Sequence, residues 1–283
     1  MHHERLIPIP LPLRIIAVVC LAGCGTLWHE TTVSDIVFPY QWVGNIDQAE
    51  FNEPSGICFH SQRGTLFVVG DEGDVCEIQT DGNPVKQKHI RDADFEGITH
   101  DPATGLLYIA VEADELILEL DPESLKVLRE FSIPRTFDGR TVLDSGGNGL
   151  EAITFVPDPE HPEGGTFYVA NQNFRLDDEQ DVSGIFQVQL PLKTGSTSPI
   201  LAGCFFTEVI DLSGLHFDAT TQRLLVISDS TNTIWVLSLT GRTLDAYAFP
   251  GDNQEGITVD DQGFIYIAQD TGGIIKMKWM RHE

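Results

Sequence analysis

Three glutamates hold equivalent places in a repeated hexapeptide. The sequence reads Asp94-Phe95-Glu96-Gly97-Ile98-Thr99, then Gly149-Leu150-Glu151-Ala152-Ile153-Thr154, then Asn253-Gln254-Glu255-Gly256-Ile257-Thr258. Two further copies, Glu53-Pro54-Ser55-Gly56-Ile57-Cys58 and Asp211-Leu212-Ser213-Gly214-Leu215-His216, carry serine in the same slot. A second oxygen-bearing set follows the copies: Asp71, Glu112, Asn171, Asp229 and Asp270. The offset from Gly56 to Asp71, from Gly97 to Glu112 and from Gly214 to Asp229 is the same, and from Gly256 to Asp270 it is one shorter. Carboxylates that converge raise one another's pKa unless a cation sits among them. An all-oxygen set with no His or Cys suits a hard ion of high coordination number, which favours calcium over magnesium and disfavours zinc. The competing expectation is that these groups only cap exposed backbone amides and orient neighbouring elements.

The elements that would position them are strands. Short β-branched runs at 65–69, 75–78, 106–111, 116–120, 166–170, 223–227, 233–237 and 264–268 alternate with Asp-Gly, Thr-Gly and Asp-Pro turns. No amphipathic helix is evident after the N-terminal region. Four strands recur in each unit of roughly 40 residues, the pattern of a β-propeller. The sequence therefore predicts an all-β propeller of five four-stranded blades, a sixth blade fitting less well. The fifth unit lacks its last strand, and the isolated run 36–46 is expected to supply it and close the ring. In such a ring the start of the first strand and the end of the second lie on one face. That places Glu96, Glu151, Glu255, Asp71, Glu112, Asn171, Asp229 and Asp270 together as candidate metal ligands, beside Ser55 and Ser213.

Two insertions, 134–148 and 172–183, rim the same face and bring Arg135, Arg140 and Arg175, in a chain with only 17 Lys plus Arg. They are candidate receivers of an anionic ligand group, or loop charges paired with nearby acids such as Asp138, Asp144, Asp177 or Asp178. His60, His100 and His216 fall toward the opposite face and are expected as channel or core residues. No G-x-S-x-G or H-E-x-x-H motif is present. The formal net charge of -26 argues against nucleic acid as a partner.

The N-terminus is a separate unit. Arg5 and Arg14 precede an apolar run, Ile15 to Gly23, too short to span a bilayer. Leu21-Ala22-Gly23-Cys24 resembles the lipobox of bacterial lipoproteins. That resemblance implies a signal peptide over 1–23, lipidation at Cys24, a tether over 24–35, and a propeller over 36–283 held outside the cytoplasm. Gly25 after the cysteine leans toward an outer membrane. Cys58, Cys76 and Cys204 sit in apolar runs and are expected as buried free thiols.

Signal, lipobox-like Cys24 and the recurring Glu/Ser-Gly-Ile/Leu strand starts together resemble the SdiA-regulated family of bacterial propellers over roughly 35–280. The third copy departs from it only by Ala152 in place of glycine. The pattern is also similar to metal-dependent propellers of the gluconolactonase and paraoxonase kind. The resemblance implies an envelope propeller with calcium in its central channel. The expected function is a lipid-anchored, calcium-binding binding or scaffold module, monomeric, with an unidentified small-molecule or protein ligand. The alternatives are a metal-dependent hydrolase of a lactone, ester or phosphoester, and a propeller with no ion.

Overall fold

The computed structural model describes residues 37–49, 51–143, 149–174, 183–193, 198–207, 209–251 and 253–280. The expected signal peptide, Cys24, the tether and Arg175 lie outside them.

Five four-stranded antiparallel sheets form the ring, and the described residues contain no helix. Blade 1 comprises Pro54–His60, Thr65–Gly70, Asp74–Gln79 and Pro84–His89. Blade 2 comprises Phe95–His100, Leu107–Val111, Leu116–Asp121 and Lys126–Ser132. Blade 3 comprises Leu150–Pro157, Gly165–Asn171, Gly184–Gln189 and Ile200–Phe206. Blade 4 comprises Leu212–Asp218, Arg223–Ser228, Thr233–Ser238 and Thr243–Ala248. Blade 5 comprises Gln254–Val259, Phe264–Gln269, Ile274–Trp279 and the N-terminal strand Tyr40–Asn45.

The closing strand is where the missing fourth strand was expected, somewhat shorter than the run 36–46. Tyr40 pairs with Trp279 and Asn45 with Ile275, antiparallel. Just before it, Val37 bridges Ala248 in blade 4, and the Phe38 amide donates to the Ala248 carbonyl at 2.9 Å. Phe38 is buried against Tyr247, Phe249 and Trp279, with ring centroids 5.3–5.7 Å away. The segment 37–40 thus holds blade 4 to blade 5.

Close approach at the axis explains the glycine of the motif. A Cβ on Gly56 would stand 2.5 Å from the Glu96 carbonyl oxygen, and one on Gly97 would stand 2.7 Å from the Ile153 amide. On Gly214 it would meet the Glu255 carbonyl at 2.4 Å, and on Gly256 the Ile57 amide at 2.5 Å. Each glycine lets the next blade's backbone approach to a distance no side chain permits. Farther along the first strands, threonines latch the same neighbours. Thr99 Oγ1 accepts the Phe155 amide (3.1 Å), Thr154 that of Phe217 (2.9 Å), and Thr258 that of Phe59 (2.9 Å). Between the blades lie apolar layers, such as Phe67, Phe95, Ile109 and Leu118. Cys58 and Cys76 are buried free thiols, as expected, whereas Cys204 is disulfide-bonded rather than free.

Candidate metal centre

Every first strand carries a bulge at the repeated slot. In blade 1 Pro54 opposes Gly70 and Gly56 opposes Val69, so Ser55 is the extra residue. Glu151 and Ser213 are extra in the same way. In blades 2 and 5 the pairs Glu96-Gly97 and Glu255-Gly256 each face a single partner residue. A bulge bends its strand and re-aims the side chain it releases. Five equivalent bulges turn these residues away from the sheets at one end of the axis.

The second set begins the turns on that same face. The Glu112 amide donates to the Asp94 carbonyl (3.0 Å), that of Asp229 to Asp211 (3.2 Å), and that of Asp270 to Asn253 (3.1 Å). The two sets are therefore locked in register by the residue two places ahead of the slot. At that place stand Glu53, Asp94, Gly149, Asp211 and Asn253. Glu53, Asp211 and Asn253 have φ of 44°, 55° and 51°, left-handed backbone for which Asn and Asp are favoured. Asp94 does not take that conformation, so its carboxylate has no such backbone reason.

Asp94 is instead part of a cluster. One ligand oxygen from each of Asp71, Asp94 and Glu96 lies within 4.8 Å of the others. The Asp94 Oδ1 is buried and has no hydrogen-bond partner. Asp71 accepts the Ser55 hydroxyl, which leaves its second oxygen for another partner. Sequence reasoning named Asp71 and Glu96 but missed Asp94. Its signal was the alternation of a strand, in which residues two apart share a face.

The remaining expected ligands divide. Glu151 is 4% exposed, and Gln172 Nε2 lies 3.5 Å from its Oε1 and 3.1 Å from Asp211 Oδ1. Glu255 and Asp270 are half-buried on the same face. Glu112 accepts the Gly149 amide at 3.2 Å, across to blade 3. Asn171 accepts the Gly184 amide (2.9 Å) inside its own blade, and Asp229 accepts the Gln254 amide (2.8 Å) of blade 5. One oxygen of each of these last three is thus occupied by backbone.

Electrostatically the face is under stress. Burial first, then Glu151, Asp94 and Asp71, hold Glu96 well above the ordinary carboxyl range. Burial, then Glu255, Glu112 and Asp211, do the same to Glu151. Burial, then Asp229, Asp211 and Asp270, push Glu255 up to about 9. Glu112 is pushed up to about 7 by burial and the charges of Asp94, Glu115 and Asp71, against the lowering effect of the Gly149 amide. Asp71 is raised by burial against the Ser55 hydrogen bond, with Asp94 and Asp270 adding to the rise. A cation reverses the sign of these shifts. The donors are carboxylates and amides throughout, and one buried oxygen lacks a partner, so the residues present fit a hard ion.

Of the basic rim, Arg135 serves the insertion itself. Its Nε donates to the Leu143 carbonyl (2.9 Å) and lies 3.7 Å from Glu115 Oε2. Arg140 is exposed in a two-residue strand that pairs with Thr136–Phe137.

A family model, SdiA-regulated, matches residues 40–271. The chain belongs to the SdiA-regulated family. Among solved structures this SdiA-regulated propeller is similar to Myxococcus xanthus glutaminyl cyclase. Identity is 11%, the TM-score is 0.60, and the match covers 87% of this chain and 98% of that one. It is also matched to Kuenenia stuttgartiensis hydrazine synthase at 15% identity and TM-score 0.45, over 85% of this chain and 58% of that one. At this identity the cyclase establishes a shared fold. No curated protein matches the sequence.

Proposed function

We propose that this SdiA-regulated propeller is a calcium-binding module of the bacterial envelope, anchored through a lipid at Cys24, that binds or scaffolds an envelope ligand. The observation that carries the metal is the Asp94 Oδ1, buried without a partner among the oxygens of Asp71 and Glu96. A buried polar atom without a partner is costly, and an ion supplies the partner. Hard oxygen donors without nitrogen or sulfur favour calcium, which accepts irregular shells of six to eight oxygens. Residues from blades 1 and 2 would hold it, with Glu151 and Glu255 facing it across the axis.

The test is metal analysis of the purified protein together with melting curves in chelator, calcium and magnesium. A ligand at about 100 times its dissociation constant stabilises by about 2.7 kcal/mol, roughly 5–10 °C for a chain of this size. Calcium is expected to raise the melting temperature by at least that much, and more than magnesium does. Identical melts in chelator and millimolar calcium, with no metal in the protein, would overturn the proposal.

Glu112 favours a second reading. Its carboxylate lies beside Asp94 and Asp71, placed to take the proton of an ion-activated water. A metal-dependent hydrolase of lactones, aryl esters or phosphoesters would use it so. Turnover that needs calcium and is lost in Glu112→Gln would establish that reading over the binding module.

A further inference from the structure

Behind the glycine layer the axis is plugged. The first strands leave there a void of only about 10 Å³, lined among others by Ile57, Ile98, Ile153, Leu215 and Ile257, room for at most one water molecule. Beyond this plug the channel opens again, at the far end from the carboxylates, into a cavity of about 220 Å³ to which all five blades contribute.

Its wall combines phenyl rings and acids. Phe59, Phe155 and Phe217 stand at the equivalent position of blades 1, 3 and 4, the last two largely buried between blades, and Asp218, itself buried, joins Asp260 and the exposed Asp261 in the lining. Among the described residues no lysine or arginine lines it. Two of the acids are held in place by hydrogen bonds. Asp218 accepts the Thr220 amide (3.0 Å) and the Thr221 hydroxyl (2.7 Å). Asp260 accepts the amides of Gln262 (2.9 Å) and Phe264 (2.8 Å) and the Tyr266 hydroxyl (2.8 Å). Asp261 is exposed at the lip.

His100 and His216 also line the wall. His100 has its Nδ1 3.4 Å from Cys58 Sγ and its Nε2 3.2 Å from Ser61 Oγ, and it stacks on His60 at 4.7 Å. Burial holds it down to about 3, so it is uncharged at neutral pH.

Acids at the lip of an aromatic wall that carries no lysine or arginine repel anions and concentrate cations. The faces of phenyl rings attract a cation further. The volume exceeds the roughly 150 Å³ that admits benzene. We propose that this distal mouth is a second ligand site, independent of the metal centre, for a small organic cation. The ligand is an amine or guanidine with one apolar group, which packs against Phe59, Phe155 and Phe217 while its charge faces Asp261 and Asp260.

Benzylamine is the probe and benzyl alcohol its uncharged counterpart. Both are titrated calorimetrically into the full chain in saturating calcium. Benzylamine is expected to bind saturably, and benzyl alcohol at least about tenfold more weakly. Asp261→Lys, at an exposed position, should weaken benzylamine by at least about tenfold and leave the calcium-dependent melting shift unchanged. Asp94→Asn should leave benzylamine binding intact, so the two sites fail separately. The proposal is overturned by the absence of saturable binding up to about 10 mM, by equal binding of benzyl alcohol, or by an unchanged Asp261→Lys. Displacement of benzylamine by calcium would place the amine among the carboxylates instead, and would equally overturn it.

Discussion

At the scale of single residues, the carboxylates were legible because they recur, and their individual duties were not. Sequence spacing selects Asp71, Glu96, Asn171 and Asp229 alike. It does not show that backbone amides already occupy Asn171 and Asp229, because those amides come from Gly184 and Gln254, set by turns and by blade contact. Asp94→Asn is therefore expected to abolish most of the calcium-induced rise in melting temperature. Asp270→Asn, which only adds field at Asp71 and Glu255, should leave more than half of it, as calcium titrations followed by melting would show. The acidic face also sets a pH dependence in chelator. Glu255 and Glu112 hold protons more tightly in the folded chain than in the unfolded one, where 4.5 applies. Between that value and about 9 the folded state carries more protons, so stability falls as pH rises. Calcium should flatten this slope. At the acid end the sign is opposite. His100, held at about 3 in the fold against 6.5 in the free chain, costs stability as pH drops below 6.5. Melting curves across pH with and without chelator check both limbs.

At the scale of elements, strand periodicity located all five first strands, and turn chemistry located their partners. The bulges could not be read, because an extra residue in one strand is defined only by the register of its neighbour. The motif glycines acquire their reason from the same contacts. Gly97→Ala should destabilise by about 1–3 kcal/mol, because its Cβ meets the Ile153 backbone rather than a yielding side chain. Ala152→Gly, at the one copy that already carries a methyl group, should cost no more than about 1 kcal/mol. Thr154→Val removes the acceptor of the buried Phe217 amide, and about 1–3 kcal/mol of stability should go with it. Urea titrations of the three variants rank them directly. The distal cavity escaped sequence reasoning for a different reason. Its wall includes one repeat position, Phe59, His100, Phe155, Phe217 and Val259, whose recurring phenyl rings read in sequence as ordinary core.

At the scale of the whole molecule, ring closure was legible from a strand missing at one end and a strand spare at the other. The Phe38 contact between blades 4 and 5 was not, because it depends on the path by which the chain enters the ring. Deleting residues 37–46 should lower the melting temperature of the entire propeller in one transition rather than shorten a single blade, and calorimetry would show which. Cys24→Ser is expected to move the protein from the membrane to the soluble fraction on fractionation. Unchanged fractionation would point to another anchor. The pairing of Tyr40 with Trp279 has a consequence in time. The strand that closes the ring is among the first parts of the domain to leave the ribosome, and its partner is among the last. Until synthesis reaches Trp279, blade 5 has no third strand for Tyr40–Asn45 to join, and Phe38 lacks one wall of its pocket. The nascent chain must therefore wait unclosed with exposed strand edges, the state in which non-local β-folds are slowest and most open to wrong pairing. Chains stalled before the last strand should remain protease-sensitive throughout, and resistance should appear only once that strand is complete.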